Sequence, residues 1–341
     1  MSKIILATDA WFPQVNGVVK CVEKMKEHLE KRGFEVVVLH PGLYFSMPTP
    51  FYPEIKISLF CKSKIKKIIE IENPDYIHIF TEGSIGLATR SVCLKNKLKF
   101  TTSQHTNFQI YIKHYLRVNI KIFSDLIFIY LRWFHNKSNA VMAITENLKK
   151  NFENRGFKNV FLWPLGVDTD LFVKNINSDI KERYNFASPI FVYFGRIAKE
   201  KNVEEFLRLD LPGTKLVIGD GPIRKNLEKR YGEINIFVGY KMGQELVDFL
   251  SVCDVFVFPS LTDVFPLAIV EALACSLPVA GHNVMDLDVL VTKDIGVLDK
   301  DLKKASMECL EIDCTKCREY ALNFSWEKSS EYFIKNLVKL K

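Results

Sequence analysis

The strongest constraint on this chain is a pattern of short apolar runs alternating with amphipathic stretches, which runs its course, stops, and starts again. Lys3-Ile4-Ile5-Leu6-Ala7 is near-continuously apolar and rich in β-branched residues, as strands buried on both faces are. A loop from Thr8 to Gly17 follows. The next stretch, from about Val18 to Lys31, places Val18, Val22, Met25 and Leu29 on one helical face. Gly33 ends it, and Glu35 to His40 is again a strand. A strand–loop–helix–strand unit of this kind predicts a parallel, doubly wound sheet. Further strands are expected at Asp75 to Phe80, Phe100 to Phe108, Ala140 to Thr145 and Val160 to Trp163. The segment 41–60, with Pro48, Pro50 and Pro53, reads as an irregular loop.

Pro164 to Asp168 has the character of a hinge. After a polar segment at 168–189 the pattern restarts at Ile190 to Phe194 and continues through Lys215 to Ile218, Asn235 to Gly239, Val255 to Phe258 and Pro278 to Gly281. A length of 341 residues fits two domains. The expected fold class is therefore α/β, with two doubly wound halves facing a central cleft.

Charge divides the same way. Residues 1–165 hold 24 Lys+Arg against 13 Asp+Glu, whereas residues 166–341 hold 23 against 27. A net +11 on the first half suggests that it meets an anionic surface, either nucleic acid or acidic membrane. The segment 111–137 adds to this, interleaving Lys113, Arg117, Lys121, Arg132 and Lys137 with aromatic residues. It suits either the shell of a buried helix pair or an interfacial helix. The first apolar run is too short for a signal peptide, and no window offers eighteen uncharged apolar residues. With eight cysteines spread over the chain, reduced thiols and a cytoplasmic location are expected. Cys314-Thr315-Lys316-Cys317 is a lone C-x-x-C that lacks a fourth zinc ligand, so no metal is expected.

Four stretches carry chemistry. The first runs from Pro259 to Ala274, where a strand gives way to a short polar loop and then a helix with Pro266 at its first position. Asp263 lies in the loop and Glu271 in the second turn. Together they flank a helix N-terminus that attracts anions. An acidic pair beside an anion site suits a ligand that combines phosphate with hydroxyl-rich sugar. Surface acids alone would give the same spacing. The second is the turn Gly195-Arg196-Ile197-Ala198-Lys199-Glu200-Lys201-Asn202, with two cations of interest, Arg196 and Lys201. The third is Asn16-Gly17, placed where a backbone can approach a ligand phosphate. The fourth is His105, delivered to the C-terminal end of a strand, where open α/β sheets bind ligands.

In order and over nearly the full length, these stretches resemble the family 4 retaining glycosyltransferases, which have the two-domain GT-B fold. The resemblance rests on Thr8-Asp9…Pro13-Gln14…Asn16-Gly17-Val18, His105-Thr106-Asn107-Phe108, and Gly166-Val167-Asp168 with Phe172. It rests more specifically on Gly195-Arg196…Glu200-Lys201-Asn202 and on Asp263 to Glu271 with Ala272-Leu273-Ala274…Pro278-Val279. Thr262-Asp263-Val264-Phe265 is similar to bacterial α-mannosyltransferases and sulfoquinovosyl-type enzymes that glycosylate lipids.

The resemblance implies a GDP- or UDP-hexose donor, a lipid or glycan acceptor, no metal and no nucleic acid. It further implies that Arg196 and Lys201 bind the donor diphosphate and Glu271 the ribose hydroxyls. Asp263 would hold the sugar, with Val264, Phe265 and Leu267 beside it on the donor. Asn16 and Gly17 would bring the first loop's backbone to the phosphates, and His105 would contact the transferred sugar. Domains are expected at 1–165, binding acceptor, and 166–324, binding donor, with the terminal helix 325–341 packing back on the first. Peripheral attachment to the inner face of a membrane follows from the basic first half. Pro266, Ser276 and Asn16 depart from the family pattern, which usually has glycine there. Two other readings stay open: a GT-B-fold sugar-nucleotide epimerase, and a non-catalytic basic scaffold or nucleic-acid-binding protein.

Overall fold

The computed structural model describes residues 2–14, 16–49, 56–105, 120–261, 263, 265–284 and 287–340, leaving aside the side chains of 120–124. The chain divides into two compact units, Met1–Leu165 with Trp326–Lys341, and Gly166–Ser325.

In the first unit the apolar runs become β1 (Ser2–Ala7), β2 (Phe34–Leu39), β5 (Tyr76–Ile79), β6 (Thr101–Gln104), β7 (Ala140–Ala143) and β8 (Val160–Leu162). They form one parallel sheet in the order β2-β1-β5-β6-β7-β8. Ile4, Ile5, Leu6 and Ala7 are fully buried, as strands covered on both faces require. The first helix, Gly17–Lys31, begins at Asn16, whose Oδ1 accepts from the amides of Val18 and Val19. It buries Val19, Cys21, Val22, Met25 and Leu29, so Val19 takes the place expected of Val18, which is only half-buried.

Residues 41–49 and 56–60 are more regular than the prolines of this segment suggest. Ser46–Pro48 (β3) and Lys56–Ser58 (β4) pair antiparallel, with Met47 opposite Ile57. Pro48 ends its short strand, in keeping with proline's confinement to edges. Strand β6 is also unusual. Its sequence Thr-Thr-Ser-Gln is polar, yet all four residues are buried. Polar side chains at such a place need partners, and histidines supply them for Thr101, Thr102 and Ser103.

The terminal helix Trp326–Asn336 completes this unit. Trp163 Nε1 donates to Ser329 Oγ at 3.0 Å, Asn336 Nδ2 donates to Leu162 O at 2.9 Å, and Arg32 donates to Ser330 Oγ and Glu331. Phe333 is fully buried. Burying a Phe side chain contributes ~2–3 kcal/mol.

The second unit comprises β9 (Ile190–Phe194), β10 (Thr214–Ile218), β11 (Ile236–Gly239), β12 (Val255–Phe258), β13 (Val279–Gly281) and β14 (Gly296–Leu298). Its order is β11-β10-β9-β12-β13-β14, all parallel. Numbered within its own sheet this is 3-2-1-4-5-6, the dinucleotide-fold order. The first sheet is 2-1-3-4-5-6 by the same count, so the two halves share a plan but not a strand order. Each order reverses once, between β1 and β5 and between β9 and β12. Ligands bind at such reversals, outside the carboxyl ends of the strands.

All eight cysteines are free thiols. Cys317 is buried, which pushes its thiol up to about 12, with Cys314 and Asp313 adding to the rise. Cys317 thus packs in a core as a neutral thiol, and Cys314 is half-buried beside it. Among the described residues, no helix is long and apolar enough to cross a membrane, and no group of three or more His, Cys, Asp or Glu is arranged to hold a metal ion.

Candidate active site

At the reversal in the second unit, three strand ends are stitched together through backbone. Gly195 N donates to Ile218 O (3.0 Å), Ile197 N to Asp220 O (2.8 Å), and Gly219 N to Gly239 O (2.8 Å). This close approach explains the glycines. A Cβ on Gly219 would lie 1.9 Å from Gly195 O, and one on Gly221 would lie 2.3 Å from Ile197 O. Gly219 also has φ +146°, which L side chains rarely adopt. The rigid turn that results carries Arg196, whose carbonyl accepts from the buried Tyr193 hydroxyl at 2.8 Å. Burial raises the Tyr193 phenol well above its ordinary range, and the charges of Asp263 and Glu200 add to this. It therefore remains a donor at any working pH.

The same turn continues through Lys199–Lys201 to Asn202, left-handed at φ 53°. Asn202 Nδ2 donates to Pro259 O at 3.3 Å and to Glu205, which His282 in turn contacts at 2.9 Å. The turn after β9 is thereby tied to the loop after β12. Across that junction Lys201 Nζ meets Asp263 Oδ1 at 2.5 Å. Sequence reasoning gave these two residues to different parts of a ligand. The structure brings them together as an ion pair, with Asp263 Oδ2 buried and without a partner among the described residues.

Pro266 is extended (φ −74°, ψ 111°) and stands one residue before the helix Leu267–Ala274, correcting its expected placement as the first helical residue. Its carbonyl accepts from Ile269 N at 3.0 Å. Glu271 lies in the second turn and is buried. Phe265 and Leu267 are partly buried against the unit's core, Phe265 with its ring 6.0 Å from that of Phe324. Val264 lies outside the described residues. At the far end, Leu277 N bonds Ala272 O and Ser276 N bonds Leu273 O, both at 2.9 Å, the bonding of a Schellman cap. Ser276 holds the left-handed position, at φ 61°. Arg318 braces this end through Ala274 O (2.9 Å), Thr169 O (2.8 Å) and Phe172 O.

The reversal in the first unit is built differently. Asp9, just past β1, accepts from Thr81 Oγ1 (2.8 Å), Ser84 Oγ (2.9 Å) and the amide of Ile85 (2.8 Å). It thus occupies the N-terminus of the helix Ser84–Lys95, and a Cβ on Gly83 would lie 2.5 Å from its Cγ. In the neighbouring loop, Gly17 has nothing within 4 Å of its Cβ direction. Asn16 spends its Oδ1 on its own helix and donates Nδ2 to Gln14 at 3.2 Å.

One strand further on, His105 follows β6 as expected; Thr106, Asn107 and Phe108 lie outside the described residues. Its ring stacks on Phe80 (5.6 Å) and meets the edge of Trp163 (5.4 Å). Burial holds the imidazole down to about 3, so it is neutral at physiological pH. Sequence reasoning named Asp9 only as part of a motif, with no role, and passed over His78, Ser103 and Tyr193. Their signal is spatial: Asp9 meets partners 72 to 76 positions away.

Residues 15–171 match the family described as Glycosyltransferase Family 4, and residues 177–301 match Glycosyl transferases group 1. The chain belongs to the family 4 glycosyltransferases. Among similar proteins, the sulfoquinovosyl transferase SQD2 of Arabidopsis thaliana is 26% identical over 83% of this chain and 60% of its own length. This chain therefore spans about three fifths of that relative. An alpha-monoglucosyldiacylglycerol synthase of Streptococcus pneumoniae is 25% identical over 98% of this chain and 84% of its own. A GDP-mannose-dependent alpha-mannosyltransferase of Mycobacterium tuberculosis is 23% identical over 82% and 79%. Among solved structures, the sucrose-phosphate synthase of Thermosynechococcus elongatus superposes with a TM-score of 0.76 at 17% identity over 98% of both chains. HepE of Anabaena, determined with UDP and glucose, gives 0.73 at 13% identity over 98% and 99%. The fold of this family 4 glycosyltransferase is GT-B.

Proposed function

We propose that this glycosyltransferase moves a hexose from a GDP- or UDP-sugar to a lipid acceptor, with retention of anomeric configuration and without a metal. The observation that carries the donor half is the Lys201–Asp263 pair, set on two loops that flank the β9/β12 reversal. In this reading Arg196 and Lys201 neutralise the diphosphate as it departs, a charge that develops most fully in the transition state. Asp263 aims Lys201 and uses its second oxygen for the sugar hydroxyls. Glu271 accepts from the ribose. The backbone at Asn16 and Gly17 approaches the phosphates, and His105 contacts the transferred sugar. The departing phosphate itself takes the acceptor's proton on the face it leaves. The second unit binds donor and the first binds acceptor.

The lipid half of the reading draws on the relatives' substrates and on the surface of the first unit. On the helix Ile120–His135, Leu126, Ile129, Tyr130 and Trp133 fall at i, i+3, i+4 and i+7, and they are exposed by 55, 53, 36 and 52%. Arg155 sits over Phe128 on the same helix at 3.8 Å. Elsewhere Phe60 is 94% exposed beside a helix that presents Lys62, Lys64, Lys66 and Lys67 to solvent. Apolar side chains among cations suit the boundary of an anionic bilayer, where each basic residue contributes ~1 kcal/mol.

A thermal-shift comparison of nucleoside diphosphates and their sugars tests the donor half, since a ligand that binds only the folded state raises Tm. Glu271→Ala should abolish the shift. A shift that survives in that variant removes the donor assignment. Sedimentation with anionic vesicles at low salt tests the other half, and a protein that stays in the supernatant counts against it.

A further inference from the structure

The polar strand β6 supports more than its own burial. Thr101 Oγ1 lies 2.8 Å from His78 Nδ1, His78 Nε2 lies 3.0 Å from Ser103 Oγ, and Ser103 Oγ lies 2.9 Å from His105 Nε2. His78, Thr101 and Ser103 are fully buried, walled in by Phe80, Trp163 and Phe333. The direction of the relay follows from its far end. Thr101 Oγ1 also faces Ile77 O at 3.5 Å, and a carbonyl can only accept. With the threonine proton directed at that carbonyl, a long contact for a hydroxyl donor, Thr101 accepts from His78 Nδ1–H. His78 Nε2 is then bare and accepts from the Ser103 hydroxyl. That leaves Ser103 to accept from His105 Nε2–H. The one nitrogen left over, His105 Nδ1, is buried and has no partner among the described residues. A buried, unsatisfied acceptor at a strand end is costly unless a ligand completes it.

We infer that His78 and Ser103 are positioning residues: with Thr101 they hold His105 in its Nε2-protonated tautomer, so that Nδ1 presents a lone pair to a hydroxyl of the transferred sugar. The relay fixes ring orientation and tautomer together, as the partner of a metal-bound or catalytic imidazole does. The sugar contact rests on the function proposed above, whereas the tautomer does not.

The test uses the full chain with 15N-labelled histidine. In the free protein at neutral pH, His105 should be protonated on Nε2 and His78 on Nδ1. Ser103→Ala should leave His105 a tautomer mixture and lower kcat about 10- to 100-fold, with donor KM changed far less. Thr101→Val removes the far anchor without touching the neighbourhood of His105, and it should loosen the tautomer in the same sense if Ser103→Ala folds poorly. Finding His105 protonated on Nδ1 overturns the relay, as does an unchanged tautomer and kcat in Ser103→Ala. An Nε2-protonated His105 together with full turnover in His105→Ala supports the relay and overturns the sugar contact alone.

Discussion

The two strand-order reversals solve the same problem with opposite materials. In the second unit the backbone is drawn so tight that only glycine fits at 219 and 221, and the charges are held in a pair, Lys201 with Asp263. In the first unit the corresponding carboxylate, Asp9, is used up on a helix end, Gly17 has open space, and a neutral imidazole is the polar group presented. In the function proposed above, the paired charges of the second unit serve a diphosphate and the neutral ring of the first serves hydroxyls.

The largest effects should separate the charges of one unit from the neutral ring of the other. Lys201→Ala should lower kcat/KM about a hundred- to a thousand-fold in steady-state transfer assays, in line with the loss of one preorganised electrostatic group. His105→Ala should cost about 10- to 100-fold, the scale of a hydrogen bond. Equal losses would erase the distinction.

Backbone provides the next contrast. Gly219→Ala should destabilise by about 2 kcal/mol or more, read from denaturant unfolding, because φ and the approach of Gly195 O both exclude a Cβ. Gly17→Ala should leave stability within about 0.5 kcal/mol and raise donor KM instead.

Acid should find the first unit. His105 is held down to about 3 by burial, and His78 lies well below its ordinary 6.5 through burial and the charges of His105 and His135. Their folded values lie below the unfolded one, so the unfolded chain binds more protons as pH falls below about 6.5. Stability is then lost on acidification, by up to about 1.4 kcal/mol per pH unit for each such histidine. Hydrogen exchange at pH 5.5 against 7.5 should show protection lost around β5 and β6 first, and His78→Gln should flatten the slope. The one expected gain belongs to the second unit: Ser276→Gly should raise stability by about 1 kcal/mol by relieving a left-handed serine, measured as Tm.

Much of this was legible in the sequence because the parallel strands are short apolar runs and Gly33 ends the first helix. The antiparallel pairing of β3 with β4 was hidden by the prolines around it, and β14 by being three residues long with a glycine. Asp263 and Lys201 were recognisable as residues of interest, but not as partners, because 62 positions separate them and only the sheet order joins them. The same holds for His78 and Ser103, 25 positions apart on adjacent strands.

The closing of the first unit by Trp326–Asn336 has a consequence for synthesis on the ribosome. Phe333, which walls in His78 and stacks on Phe80, is translated only after all of Gly166–Ser325. At 5–20 residues per second, the first unit waits roughly 10 to 30 seconds for its last piece. During that interval the second unit can fold as a continuous stretch of chain. The nascent first unit meanwhile exposes the faces of Trp163 and Phe80 that the helix later covers, so the half emerging first is the half finished last.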